Sequence, residues 1–115
     1  MTRAKLFNIL FWLCIIFTAV LAFIPGFLRT AGSMSDKVNH TAAFMVMSFL
    51  AHRGLRMPVS RWTGLLVLYG VIIEVVQFFL PYRSFSLLDL LADLAGIALF
   101  LVLKHAWSAL SRQQQ

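Results

Sequence analysis

The sequence predicts an all-α integral membrane protein, a bundle of four transmembrane helices with both termini on the cytoplasmic side. Three observations lead there. Of the 115 residues, 61% are hydrophobic, and the mean hydropathy of +0.87 exceeds what a soluble domain carries. Apolar runs long enough to cross a hydrocarbon core of about 30 Å recur along the chain. Lys and Arg collect in alternate connecting segments.

The first run, residues 6–24, has no charge over 19 residues and is closed by Pro25 and Gly26. Arg3 and Lys5 give it the basic start of a signal peptide. The run is longer than a signal core, however, and Phe11-Trp12-Leu13 before Cys14 lacks the small residue of a lipoprotein site, so a retained helix is expected. The second run is uncharged only over residues 38–51 and reaches membrane length by drawing in polar flanks, over residues 34–53. A third span covers residues 62–80 and contains Glu74 and Gln77, and a fourth covers residues 87–103 and contains Asp89 and Asp93. Short connections at residues 54–61 and 81–86 make successive helices antiparallel. The whole chain is then one membrane domain, with the tail at residues 113–115 disordered.

Orientation follows from the cations. Arg3, Lys5, Arg53, Arg56, Arg61, Lys104 and Arg112 fall on one side and Arg29, Lys37 and Arg83 on the other, so the side with seven is cytoplasmic. The net charge of +6 is dispersed between apolar runs and forms no continuous stripe, which excludes nucleic acid as a partner. The single cysteine, Cys14, excludes a disulfide framework and a Cys-based metal site. His52, His105, Trp12, Trp62 and Trp107 read as packing or interfacial residues.

The four acids carry the functional argument, because a charge at the bilayer centre costs about 2.5–3.5 kcal/mol on insertion scales. Asp36 follows Ser33 by three residues, and Asp89 follows Ser86 by the same step, a pattern that caps helix N-termini. Glu74, Asp93 and His40 each fall six residues inside the outer end of a span, about 9 Å deep. Glu74 and Gln77 share a face, as do Asp36 and His40, while Asp89, Asp93 and Gly96 form a stripe on the fourth helix. Such stripes turn toward the bundle interior. The plain reading is a structural knot of hydrogen bonds across helices. Lys37 and Arg83 stand at the same mouth, where they can neutralise acids, grip an anion or anchor at the interface.

At these residues the chain resembles VanZ-like membrane proteins. The resemblance rests on Asp36-Lys37, His40, Phe44, Glu74, Gln77, Pro81, Arg83, Ser84, Asp89 and Gly96, and spans about residues 36–96. It implies a small multi-pass protein of the bacterial cytoplasmic membrane, in a family named for a member linked to teicoplanin resistance. No antibiotic phenotype is carried over. The family's usual Asn is replaced here by Asp93, and both an amide and a protonated carboxylic acid can donate a hydrogen bond.

Three functions fit these residues. In the first, Lys37 and Arg83 receive an anionic lipid headgroup or a lipid-linked cell-envelope molecule, with His40, Glu74, Gln77 and Asp89 on its polar atoms and Asp36, Ser84, Asp93 and Gly96 in support. In the second, an intramembrane enzyme uses Glu74 or His40 as general base, with Asp89 or Glu74 able to hold a divalent metal. No cofactor is required by the sequence, and no nucleophile motif or phosphate loop is present. The third is the structural knot alone. An ion pathway is disfavoured because the cytoplasmic halves of the spans carry no acid. Membrane lipids are the expected partners. Ala92 and Gly96 permit close helix contact within the bundle, in a homo-oligomer or with another envelope membrane protein.

Overall fold

The computed structural model describes residues 2–24, 34–81 and 87–113, with the backbone alone for residues 34–36. Arg29, Ser33, Arg83, Ser84 and Ser86, and the side chain of Asp36, therefore lie outside the described residues. Four helices account for nearly all of what is described: α1 (Arg3–Phe23), α2 (Met34–Gly54), α3 (Val59–Phe79) and α4 (Leu87–Gln113).

Local chemistry sets the ends. Thr2 caps α1 by accepting from the Lys5 amide at 3.2 Å. Pro58 caps α3, with its carbonyl receiving the amides of Arg61 and Trp62. Its ring holds the backbone ready for the first turn, so α3 begins at Val59, three residues before the apolar run at Trp62. The larger correction is in α4, which continues ten residues beyond residue 103 and includes Gln113. Lys104 and His105 end the apolar run without ending the helix, because helical propensity does not require apolar residues. α4 is thus about 40 Å long.

Pairings between side chains give the directions. Lys37, Thr41 and Phe49 of α2 meet Asp89, Ala92 and Phe100 of α4 in the same order, so these two helices run parallel. Phe7 and Asn8 of α1 reach Phe49 and Gly54 of α2, while Thr18 reaches Met47, an antiparallel pair. Ile15 and Ala22 of α1 meet Tyr69 and Gln77 of α3, again parallel. α2 touches all three other helices, with α1 and α4 on its flanks.

Helix backbones come together at Gly54, against Phe7 and Asn8 of α1, and at Gly96. A Cβ placed there would lie 3.0 Å from the Met45 nitrogen and nearer still to the Thr41 carbonyl oxygen, so α2 and α4 meet backbone to backbone. Away from this contact, Phe11, Phe44, Met47, Leu50, Trp62, Leu66, Ile97 and Phe100 form the apolar core. The outer surface is also apolar. Phe17 is 61% exposed and Phe79 is 76% exposed, while Glu74 is fully buried and Asp93 nearly so. By length and composition two helices, α1 and α3, are able to cross a membrane.

Gly96→Ala should lower stability by about 1–3 kcal/mol through overpacking against α2. Gly64→Ala should not destabilise, since nothing lies within 4 Å of a Cβ there. Thermal unfolding of the two variants in detergent reads the contrast, and equal melting points would contradict the α2–α4 contact.

Candidate functional site

Residues one turn apart on a helix stack on one face, and this builds the site as two facing ladders. Lys37, His40, Thr41 and Phe44 form the α2 rail, and Asp89, Ala92, Asp93 and Gly96 form the α4 rail. Because the helices run parallel with Gly96 seated on α2, the rungs fall in register. The first rung is the ion pair between Lys37 Nζ and Asp89 Oδ1. One turn deeper, His40 Nδ1 and Asp93 Oδ1 are 2.8 Å apart. Between them the Thr41 hydroxyl donates to the Ala92 carbonyl at 3.2 Å. His40 Nε2 lies 3.8 Å from Asp89 Oδ2, so the imidazole spans both carboxylates of α4.

The third side comes from α3, where Gly70, Glu74 and Gln77 share a buried face. A Cβ at Gly70 would stand 3.2 Å from Asp93 Oδ2 and 3.4 Å from the Phe44 ring. The missing side chain is what lets α3 close over Asp93. Glu74 enters one turn further along, and His40, Glu74 and Asp93 each bring a ligand atom to a point where all lie within 4.8 Å of one another. One nitrogen and two carboxylate oxygens are a donor set suited to a first-row divalent ion, so among the described residues these three are able to hold a metal.

Gln77 has a different task. Its amide donates to the Ala22 carbonyl at 2.9 Å, satisfying an acceptor in the last turn of α1. Asp89, in the first turn of α4, takes the Lys37 ammonium. The shape of the chemistry is then clear. With Asp93 ionised, His40 Nδ1–H donates to it; with Asp93 protonated, its O–H donates to Nδ1 instead, and the Nε2–H is then turned toward the Asp89 carboxylate.

Of the residues singled out in the sequence, Lys37, His40, Glu74, Asp89 and Asp93 come together, and Gly96 holds their two helices in place. Arg83 and Ser84 lie outside the described residues, as does the side chain of Asp36. Sequence reading passed over Thr41, Gly70 and the Ala22 carbonyl. Gly70 carried a signal, since it precedes Glu74 by four residues on the same face. The Ala22 carbonyl carried none. His52 sits at the far end of the bundle, against Trp62 and Phe100.

The buried His40–Asp93 contact predicts a graded mutational series. Asp93→Asn keeps a hydrogen-bonding group and should stay within about 1 kcal/mol of the parent, whereas Asp93→Ala should lose about 1–3 kcal/mol. Melting temperatures in detergent measure both, and an Asp93→Ala protein as stable as the parent would show that the contact contributes nothing.

No protein-family model matches the sequence, and no solved structure matches it. Among curated proteins, the chain is similar to an uncharacterized protein of Schizosaccharomyces pombe, with 32% identity over 99 residues. The alignment covers 82% of this chain and 59% of the yeast protein, so this chain spans less than two thirds of that relative's length.

Proposed function

We propose that this is a four-span, VanZ-like membrane protein with both termini in the cytoplasm, whose polar site engages the polar head of an anionic lipid or a lipid-linked cell-envelope molecule near the outer leaflet. The bacterial cytoplasmic membrane is the compartment the VanZ resemblance implies. One observation carries the reading: five ionisable side chains from three helices converge at one end of a bundle whose outer surface is apolar. In water that arrangement is inverted, since a soluble domain seldom buries two carboxylates while exposing Phe17, Phe78, Phe79, Leu87 and Leu88. In a bilayer it is the ordinary one. It also supports α2 and α4 as spans, because Lys37, Asp89 and Asp93 face the bundle and pair there. The count of seven cations against three supports the orientation.

Lys37 is engaged by Asp89, so an anionic headgroup at this mouth competes with Asp89 for the ammonium or meets Arg83. The hydroxyls and amides of such a head would find acceptors in Glu74 and Asp89.

A second reading, an intramembrane enzyme, is favoured by one specific contact. Asp93 fixes the His40 ring through Nδ1, an arrangement that orients an imidazole for general-base work, and His40, Glu74 and Asp93 together offer a donor set for a metal.

Native mass spectrometry of protein extracted from its own membranes separates these. A discrete lipid bound to the parent and lost in both Arg83→Ala and Glu74→Gln is the expected result. A divalent metal lost with Glu74→Gln alone would favour the enzyme, and no ligand in any sample would leave the structural knot. A reporter fused after Gln115 should be active only as a cytoplasmic fusion, and activity dependent on export would overturn the topology.

A further inference from the structure

Opposite the polar site, α2 and α4 enclose a groove of about 1020 Å³ that the proposed function does not use. Its walls are Met45, Val46 and Phe49 from α2 with Phe100 and Leu103 from α4. Beyond the Gly96 contact the rings of Phe49, Phe100 and His52 stand between the helices, with centres 5.8 and 6.2 Å apart. The groove is open along its side, where Val46 is 50% and Leu103 53% exposed.

The two ends of the groove differ in chemistry. From Ala42 to Phe49 the α2 wall is apolar. At the other end Arg53 and Lys104 project from the last turn of α2 and from α4, with His52, Trp107 and Ser108 beside them. The Arg53 guanidinium lies 5.8 Å from the Phe49 ring centre, over the apolar wall. Among the described residues, no acid lines the groove. Residues 42 to 53 of α2 extend about 16 Å, close to half of a hydrocarbon core of about 30 Å. The groove therefore has the length of one leaflet, an apolar run for an acyl chain and a cationic end for an acidic head.

We propose that the α2–α4 groove binds one anionic phospholipid of the cytoplasmic leaflet, with an acyl chain along Met45, Val46 and Leu103 and its phosphate between Arg53 and Lys104. The planar Arg53 fork and the Lys104 point charge suit phosphate oxygens. The Trp107 ring, 73% exposed beside them, is of the kind that settles at headgroup level. Basic pockets between helices on the cytoplasmic side are a recurrent way to hold acidic headgroups. This inference rests on the membrane reading but not on the polar site, which lies at the opposite end of α2 and α4.

The test uses the full chain in detergent, stripped of lipid and followed by native mass spectrometry as lipid is added back. Dioleoyl-phosphatidylglycerol should give a single adduct at a concentration at least tenfold below that needed for dioleoyl-phosphatidylcholine. The double variant Arg53→Gln/Lys104→Gln should lose that tenfold preference, and Val46→Trp, which fills the groove, should weaken both lipids. Arg112→Gln, a cation outside the groove, should change neither. Preference unchanged in the double variant, equal binding of the neutral lipid, or equally tight binding of chain-free glycerol-3-phosphate would each overturn the site. Alkaline carbonate washing of membranes distinguishes the two failures. A chain released by carbonate fails the membrane reading itself, whereas a chain retained in the membrane without lipid selection fails the groove alone.

Discussion

The parallel contact of α2 with α4 is the constraint on which the other packing depends. Gly96 lets the two backbones touch, and touching backbones admit few rotations about either axis. Within that freedom the rungs Lys37–Asp89 and His40–Asp93 select one, because in apolar surroundings each of these groups is costly without its partner. Glycine thus sets the distance between the helices and the charges set their rotation. α3 then closes over Asp93 through Gly70, and Gln77 ties α3 to the end of α1.

A second polar layer continues the logic deeper in the bundle. Tyr69 donates to the Ile15 carbonyl at 2.6 Å, and its hydroxyl is 2.6 Å from that of Thr18, which itself bonds back to the Cys14 and Ile15 carbonyls of its own helix. Ser48 likewise donates to the Phe44 carbonyl at 2.7 Å. A hydroxyl that bonds to its own helix needs no further partner in an apolar interior, as at Ser48, whereas Thr18 adds the Tyr69 hydroxyl of α3. Charged groups lack that option, so Lys37, Asp89, His40 and Asp93 meet across α2 and α4, with the Thr41 hydroxyl donating to the Ala92 carbonyl beside them.

Much of this was legible in the sequence, for a physical reason. A buried acid in an apolar helix has so few tolerable surroundings that its position almost names its neighbours, and Glu74 and Asp93 stood out on that ground, with His40 at the same depth and Lys37 and Asp89 near the helix ends. Helix existence was legible for the same reason, as long apolar runs have few alternatives. Boundaries were less so. Pro58 advanced the start of α3, and α4 ran on through Lys104 and His105, because hydrophobicity reports the solvent around a helix and not where its hydrogen bonding stops. Gly70, Thr41 and the Ala22 carbonyl were passed over because their roles depend on which helix lies opposite, and a single helix's pattern does not encode that.

The sequence separation of the rungs bears on how the protein is made. Lys37 and Asp89 are 52 residues apart and His40 and Asp93 are 53 apart. α2 therefore leaves the ribosome with its cation and imidazole well before the carboxylates that meet them have been synthesised. Until α4 has been made, Lys37 and His40 therefore lack the carboxylates of Asp89 and Asp93 that they meet in the folded bundle, and these rungs close last.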